Sequence, residues 1–126
     1  MAPSDKRILL VEDDPFLRRA CLVSLRQRGF TVTAASDGVE ALRSIGAERP
    51  DLVLLDLLMP RMTGLEVLRT LRDDPKTRDL AVLVLSNSSR EQDVVEIKEL
   101  GVSDYLVKAD LSLTELGDRV QRLLEG

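Results

Sequence analysis

With 126 residues and a single cysteine, the chain is sized for one domain that buries its own core without disulfides. Its 18 basic and 22 acidic residues give a net charge of −4, and the basic ones are spread among helical stretches rather than gathered in a stripe, which argues against direct nucleic-acid binding. The absence of histidine excludes Ser/His/Asp catalysis, histidine metal ligation and a role as histidine phosphodonor.

Strand-length apolar runs alternate along the chain with amphipathic helical stretches. RILLVE (7–12) predicts the first strand, and Asp14 followed by Pro15 marks the start of the first helix. Leu17, Cys21 and Leu25 share a face of that helix, so the thiol reads as a small buried apolar group, and Gly29 ends the helix. TVTAA (31–35) alternates threonine with apolar residues, which suits an edge strand, and the pair Asp37/Glu40 opens the second helix. DLVLLD (51–56) is the third strand, with Thr63/Glu66 capping the helix that follows. LAVLVLS (80–86) is the fourth, Ser89/Gln92 opens the fourth helix and Gly101 ends it. DYLVK (104–108) is the fifth, and Ser112/Glu115 opens a last helix with Leu113, Leu116, Val120, Leu123 and Leu124 on its apolar face. Five βα units with strands apolar on both faces predict an α/β fold: one parallel, doubly wound sheet in the order 2-1-3-4-5. The expectation is a single domain over 1–126 with no output domain. No apolar run reaches membrane-spanning length and MAPSDKR lacks the core of a signal peptide, so a cytoplasmic protein without membrane insertion is expected.

In such sheets ligands bind at the carboxyl ends of the strands, near the point where strand order reverses. That rule leaves Lys6, Arg7, Asp51, Asp79 and Asp104 at the opposite end as solvated strand entries. It gathers Glu12, Asp13, Asp56, Ser86 and Lys108 at the site end. Three converging carboxylates repel one another unless a cation neutralises them, and an oxygen-only site with room for water suits Mg²⁺ or Mn²⁺. Helix capping accounts for Asp14 but not for Glu12, Asp13 and Asp56. Capping would also account for Ser86 taken alone, and a lysine at a strand end is ordinary. Beside a metal-neutralised carboxylate, however, a hydroxyl and an ammonium are what a phosphoryl group on Asp56 requires. The reading is that Asp56 is the nucleophile accepting a phosphoryl group. Asp13 and Asp56, Glu12 through water, and the backbone carbonyl of Leu58 hold the cation, while Lys108 and Ser86 contact the phosphoryl oxygens.

LLVEDD, DLVLLDLLMPRMTG, LVLSNSS and GVSDYLVKAD stand in an order and spacing that resemble the receiver domains of two-component response regulators, over essentially the whole chain. The resemblance is to the flavodoxin-like, stand-alone, chemotaxis-regulator type. It implies that a histidine kinase or histidine phosphotransfer protein phosphorylates Asp56 and that Glu12 and Asp13 are the acidic pair. It also implies that Ser86 is the switch hydroxyl, Lys108 the phosphate-pairing lysine and Tyr105 the switch aromatic. The surface of the fourth helix, fifth strand and fifth helix would then report the state to an unnamed protein partner, with a phosphorylation-dependent homodimer left open. The chain departs from the family where Ala109 replaces the usual proline, which predicts a trans peptide, and where bulky Asn87 replaces a small residue. Leu58, two residues past the acceptor, cannot position an attacking water, so slow self-dephosphorylation is expected. An aspartate-nucleophile phosphatase or phosphotransferase would want an acid where Leu58 stands, so no enzyme beyond this self-modifying chemistry is expected. A phosphorelay intermediate and a degenerate dimerisation scaffold are the alternatives.

Overall fold

The structure, a computed structural model, describes residues 5–59, 61–87 and 91–125, the side chains of 91–93 excepted. Five strands, β1 (Arg7–Val11), β2 (Thr31–Ala35), β3 (Leu52–Asp56), β4 (Ala81–Ser86) and β5 (Asp104–Val107), pair in parallel in the order β2-β1-β3-β4-β5. Between and after them run α1 (Pro15–Gln27), α2 (Gly38–Ala47), α3 (Gly64–Asp73), α4 (Glu91–Leu100) and α5 (Leu113–Glu125), with a 3-10 turn at Lys108–Asp110.

Successive strand residues face opposite sides of a sheet, so β1 and β3 each feed two cores. Leu9, Val11, Val53 and Leu55 meet Ile45 of α2, Leu68 and Leu71 of α3 and Ile97 of α4. Ile8, Leu10, Leu52 and Leu54 meet Cys21 and Leu25 of α1 and Leu116 and Val120 of α5. Burial pushes the Cys21 thiol up to about 11, with the Glu12 charge adding to it, as suits an inert packing group. β2 lies at the edge, as its threonines predict, with Thr31 and Thr33 exposed.

The helix starts follow the predicted punctuation. Asp14 Oδ1 accepts the N–H groups of Phe16 and Leu17, Thr63 and Glu66 form a full capping box, and Ser112 accepts the Glu115 N–H at 3.1 Å. Asp37 accepts the Glu40 N–H at 2.8 Å, but Glu40 turns its carboxylate to Ser36, whose hydroxyl and N–H offer two donors instead of one. The Ser89/Gln92 start lies outside the described residues. Gly29 and Gly101 end their helices at φ of 96° and 81°, in the left-handed region.

One expectation is corrected. On α5 the buried stripe is Leu116, Gly117 and Val120, while Leu113 and Leu123 are 39% and 37% exposed. Leu113 is the helix's first residue and Leu123 sits at the margin of the stripe; Arg28 lies against Gly117 and fills the groove, reaching Gln121, Asp118 and the Thr114 carbonyl. The strand entries Lys6, Arg7, Asp51 and Asp79 are exposed as expected and Asp104 is half-buried, and several of them also find polar partners. The Arg7 N–H donates to Asp51, Arg7 pairs with Glu48, Arg49 with Asp79 at 3.2 Å and Arg119 with Asp104 at 2.8 Å. Those partners come from other elements and the turns beside them, which a strand read alone cannot supply.

Arg72 of α3 is the polar centre of the α3–α4 contact. Its Nε and Nη2 donate to the carbonyls of Leu100 and Gly101 at 2.8 and 2.7 Å, and Nη1 donates to those of Thr77 and Arg78. Replacing Arg72 by Met leaves these acceptors without their shared donor. It is expected to cost about 3 kcal/mol, read as a lower urea midpoint at unchanged m. Arg72→Lys should recover less than half, since one ammonium cannot span four carbonyls.

Candidate functional site

β1 and β3 are neighbours in register, Val11 beside Leu55, so the residues that follow meet at the carboxyl end of the sheet. Glu12 leaves β1 with its N–H still bonded to the Ala35 carbonyl, and Asp56 is the last residue of β3. Glu12, Asp13 and Asp56 bring carboxylate oxygens within 4.8 Å of one another; the first and last are buried and Asp13 is exposed.

Lys108 brings a positive charge of the protein's own into this cluster. Lys108 reaches in from beyond β5 and places its ammonium 2.5 Å from Glu12 Oε1 and 3.1 Å from Asp56 Oδ2. The remaining oxygens are held by backbone: Glu12 Oε2 accepts the Asp14 N–H at 3.1 Å and Asp56 Oδ1 the Leu58 N–H at 3.3 Å. One ammonium against three ionised carboxylates leaves two negative charges uncompensated. Burial first, then the hydrogen bond and charge of Glu12, push Asp56 up to about 7, although Lys108 pulls the other way. For Lys108 burial opposes the charge, but the bond to Glu12 and the charges of Asp56 and Glu12 outweigh it and hold the ammonium above its usual range.

Above the carboxylates opens a pocket of about 510 Å³, walled by Glu12, Asp13, Asp14, Leu17, Asp56, Leu58, Asn87, Lys108 and Ala109. Its ligating atoms are oxygens with space for water, a donor set that fits a hard divalent cation. Of the residues the sequence singles out, Glu12, Asp13, Asp56, Leu58 and Lys108 come together here, with Asn87 and Ala109 on the wall. Ser86 is buried at the end of β4, one residue behind the Asn87 wall. Tyr105 is half-buried on β5 and packs against the core shared with α3 and α4, away from the pocket. The Lys108–Ala109 peptide is trans and leads into the 3-10 turn.

Three features escape the sequence reading. Gly64, the first residue of α3, lies so close to the end of β3 that an added Cβ would stand 2.3 Å from the Asp56 carbonyl oxygen and 2.7 Å from Leu57 Cα. Its signal was a glycine directly after a capping threonine, where a better helix former costs less. Arg18 donates to the carbonyls of Glu12 and Asp13; its signal was a cation near a helix N-terminus, where the macrodipole disfavours one. Arg61 holds a left-handed φ of 67° and pairs with buried Asp37.

Comparison with known proteins agrees with this geometry. Residues 8–121 match the family model of the response regulator receiver domain. The response regulator MprA of Mycobacterium ulcerans (strain Agy99) is 44% identical over 118 residues, which are 94% of this chain and 50% of MprA, so the chain spans about half the length of that relative. Among solved structures, the signal receiver domain of a signal transduction histidine kinase from Syntrophus aciditrophicus superposes with a TM-score of 0.86 at 35% identity, covering 96% of this chain and 91% of that one. The chemotaxis protein CheY4 of Vibrio cholerae gives a TM-score of 0.86 at 28% identity over 94% and 98% of the two chains. Strand order, acidic cluster and matched span together make this chain a member of the response regulator receiver domain family.

Proposed function

We propose that the chain is a phosphorylation-dependent switch in which Asp56 accepts a phosphoryl group from a histidine kinase or histidine phosphotransfer protein. The observation that supports it most is the meeting of Glu12, Asp13 and Asp56 oxygens within 4.8 Å, with the Lys108 ammonium 3.1 Å from Asp56. An Asp56 oxygen attacks phosphorus in line, an O–P bond forms as the donor's N–P bond breaks, and the leaving imidazole takes up a proton. Asp13, Asp56 and the Leu58 carbonyl, with Glu12 through water, would hold Mg²⁺ or Mn²⁺, which would supply charge neutralisation for the transferring group. Lys108 then exchanges a carboxylate partner for a phosphoryl oxygen, and Ser86 donates to another. Tyr105 follows Ser86, and the surface of α4, β5 and α5 carries the change to a protein partner. The register supports this route, since β5 pairs Tyr105 with Val84 and Val107 with Ser86.

Intact-mass spectrometry after incubation with acetyl phosphate tests the chemistry. The expected result is a Mg²⁺-dependent gain of one phosphoryl group that Asp56→Asn lacks. A folded protein that gains none under any condition overturns the reading.

A further inference from the structure

Arg18 sits one helical turn into α1, its own N–H bonded to the Asp14 carbonyl, and its side chain turns back past the helix start. There Nη1 donates to the carbonyl oxygens of Glu12 at 3.0 Å and Asp13 at 3.3 Å. This direction runs against the helix dipole, which repels a cation from an N-terminus, so the carbonyls must supply the attraction. The rest of the turn is tied as well. The Asp14 N–H goes to the Glu12 carboxylate, and the Asp14 carboxylate goes to the N–H groups of Phe16 and Leu17. Glu12 is thus fixed twice, by Lys108 and by Asp14, whereas Asp13 is exposed on the pocket wall. For Asp13 the carbonyl bond from Arg18 adds a direct restraint on the backbone that presents its carboxylate.

We infer that Arg18 is a positioning residue for the cation site: it clamps the Glu12–Asp13 backbone so that Asp13 is presented to a divalent cation at a fixed distance from Asp56. The inference rests on the proposed function, because it assumes that the acidic cluster binds such a cation. A group that orients a ligand without touching the metal commonly changes affinity by 10- to 100-fold. Charge alone predicts the opposite sign, since removing a nearby cation would tighten binding of a second one.

The test is titration of the full chain with Mn²⁺, following free Mn²⁺ by electron paramagnetic resonance, on unphosphorylated wild type, Arg18→Met, Arg18→Lys and Asp13→Asn. Arg18→Met should bind about 10-fold more weakly than wild type. Arg18→Lys should fall between them, because its ammonium keeps the charge and the donors but lacks the reach and fixed planar geometry of the guanidinium. The deficit should persist in 0.5 M KCl, where a charge effect would be screened. The folded fraction of each variant is taken from circular dichroism, so that loss of fold is not read as loss of affinity. Wild-type binding that Asp13→Asn weakens, together with unchanged or tighter binding in Arg18→Met, overturns the role of Arg18 and leaves the proposed function standing. Absence of Mn²⁺ binding by folded wild type overturns both.

Discussion

Replacing Gly64 by alanine should lower the melting temperature by about 10 °C or more and slow phosphorylation of Asp56 by acetyl phosphate, although alanine is the better helix former. The added methyl carbon would stand 2.3 Å from the Asp56 carbonyl oxygen, 2.7 Å from Leu57 Cα and 3.0 Å from the Asp56 carbonyl carbon. All three are backbone atoms of β3 and its exit, so no side chain can rotate away. Relief requires α3 to back off, which breaks the 3.0 Å bond from the Gly64 N–H to the Leu57 carbonyl, or the strand end to shift and carry Asp56 with it. Helix propensity favours alanine by about 1 kcal/mol, whereas forced overpacking costs about 1–3 kcal/mol and more against backbone. Gly46 supplies the control: it lies in α2 with nothing within 4 Å of an added Cβ, so Gly46→Ala should stabilise by about 0.5–1 kcal/mol. Thermal melts of the two variants, with the phosphorylation rate of each, check the pair. Equal and positive shifts would show that α3 does not need to approach the strand so closely.

The metal-free Asp56→Asn protein should be more stable than wild type at pH 8, and the advantage should vanish near pH 4. Asp56 stands at about 7 in the fold against an ordinary 3.8, so the folded chain keeps this proton to higher pH than the unfolded chain does. Its contribution is therefore fully present below about pH 4 and is lost as pH rises through 7. A shift of that size corresponds to about 4 kcal/mol unscreened; water in the open pocket above the carboxylate reduces it to about 2 kcal/mol. Asparagine keeps the shape, removes the repulsion from Glu12 and leaves Glu12 and Lys108 as a one-to-one pair. Urea unfolding of both proteins at pH 4, 6 and 8 measures the difference directly, and saturating Mg²⁺ should narrow it at pH 8. A variant no more stable than wild type at pH 8 would mean that ionised Asp56 is not under electrostatic strain.

The features legible in the sequence were those written in local pattern. Strand-length apolar runs and period-3.6 hydrophobicity marked the five strands and five helices, and the apolar-on-both-faces character of residues 52–55 placed β3 inside the sheet. The convergence of Glu12, Asp13 and Asp56 followed from strand order alone, because parallel neighbours deliver their ends to one place. Contacts made by long side chains across elements were not legible. Lys108 was read as a partner for a phosphoryl group, but nothing in DYLVK says that it bonds Glu12 and Asp56 beforehand. Arg18, Arg28 and Arg72 look like solvated charges on helix surfaces, yet each ends on backbone carbonyls that only the folded chain brings within reach. The close approach at Gly64 was hidden for another reason: a missing side chain leaves no pattern, and its importance lies in the backbone it faces.

The fork of Arg72 on Leu100 and Gly101 fixes one end of α4 and so defines how that helix can move as a rigid rod. Any displacement that keeps those two bonds is a rotation about the Gly101 end. At 1.5 Å per residue the ten residues of α4 make a lever about 15 Å long, and a tilt of about 10° would carry its Glu91 end through about 2.6 Å. The Glu91 end is the one that follows β4, Ser86 and the pocket, so an event at Asp56 would act on the long arm while the short arm stays anchored to α3.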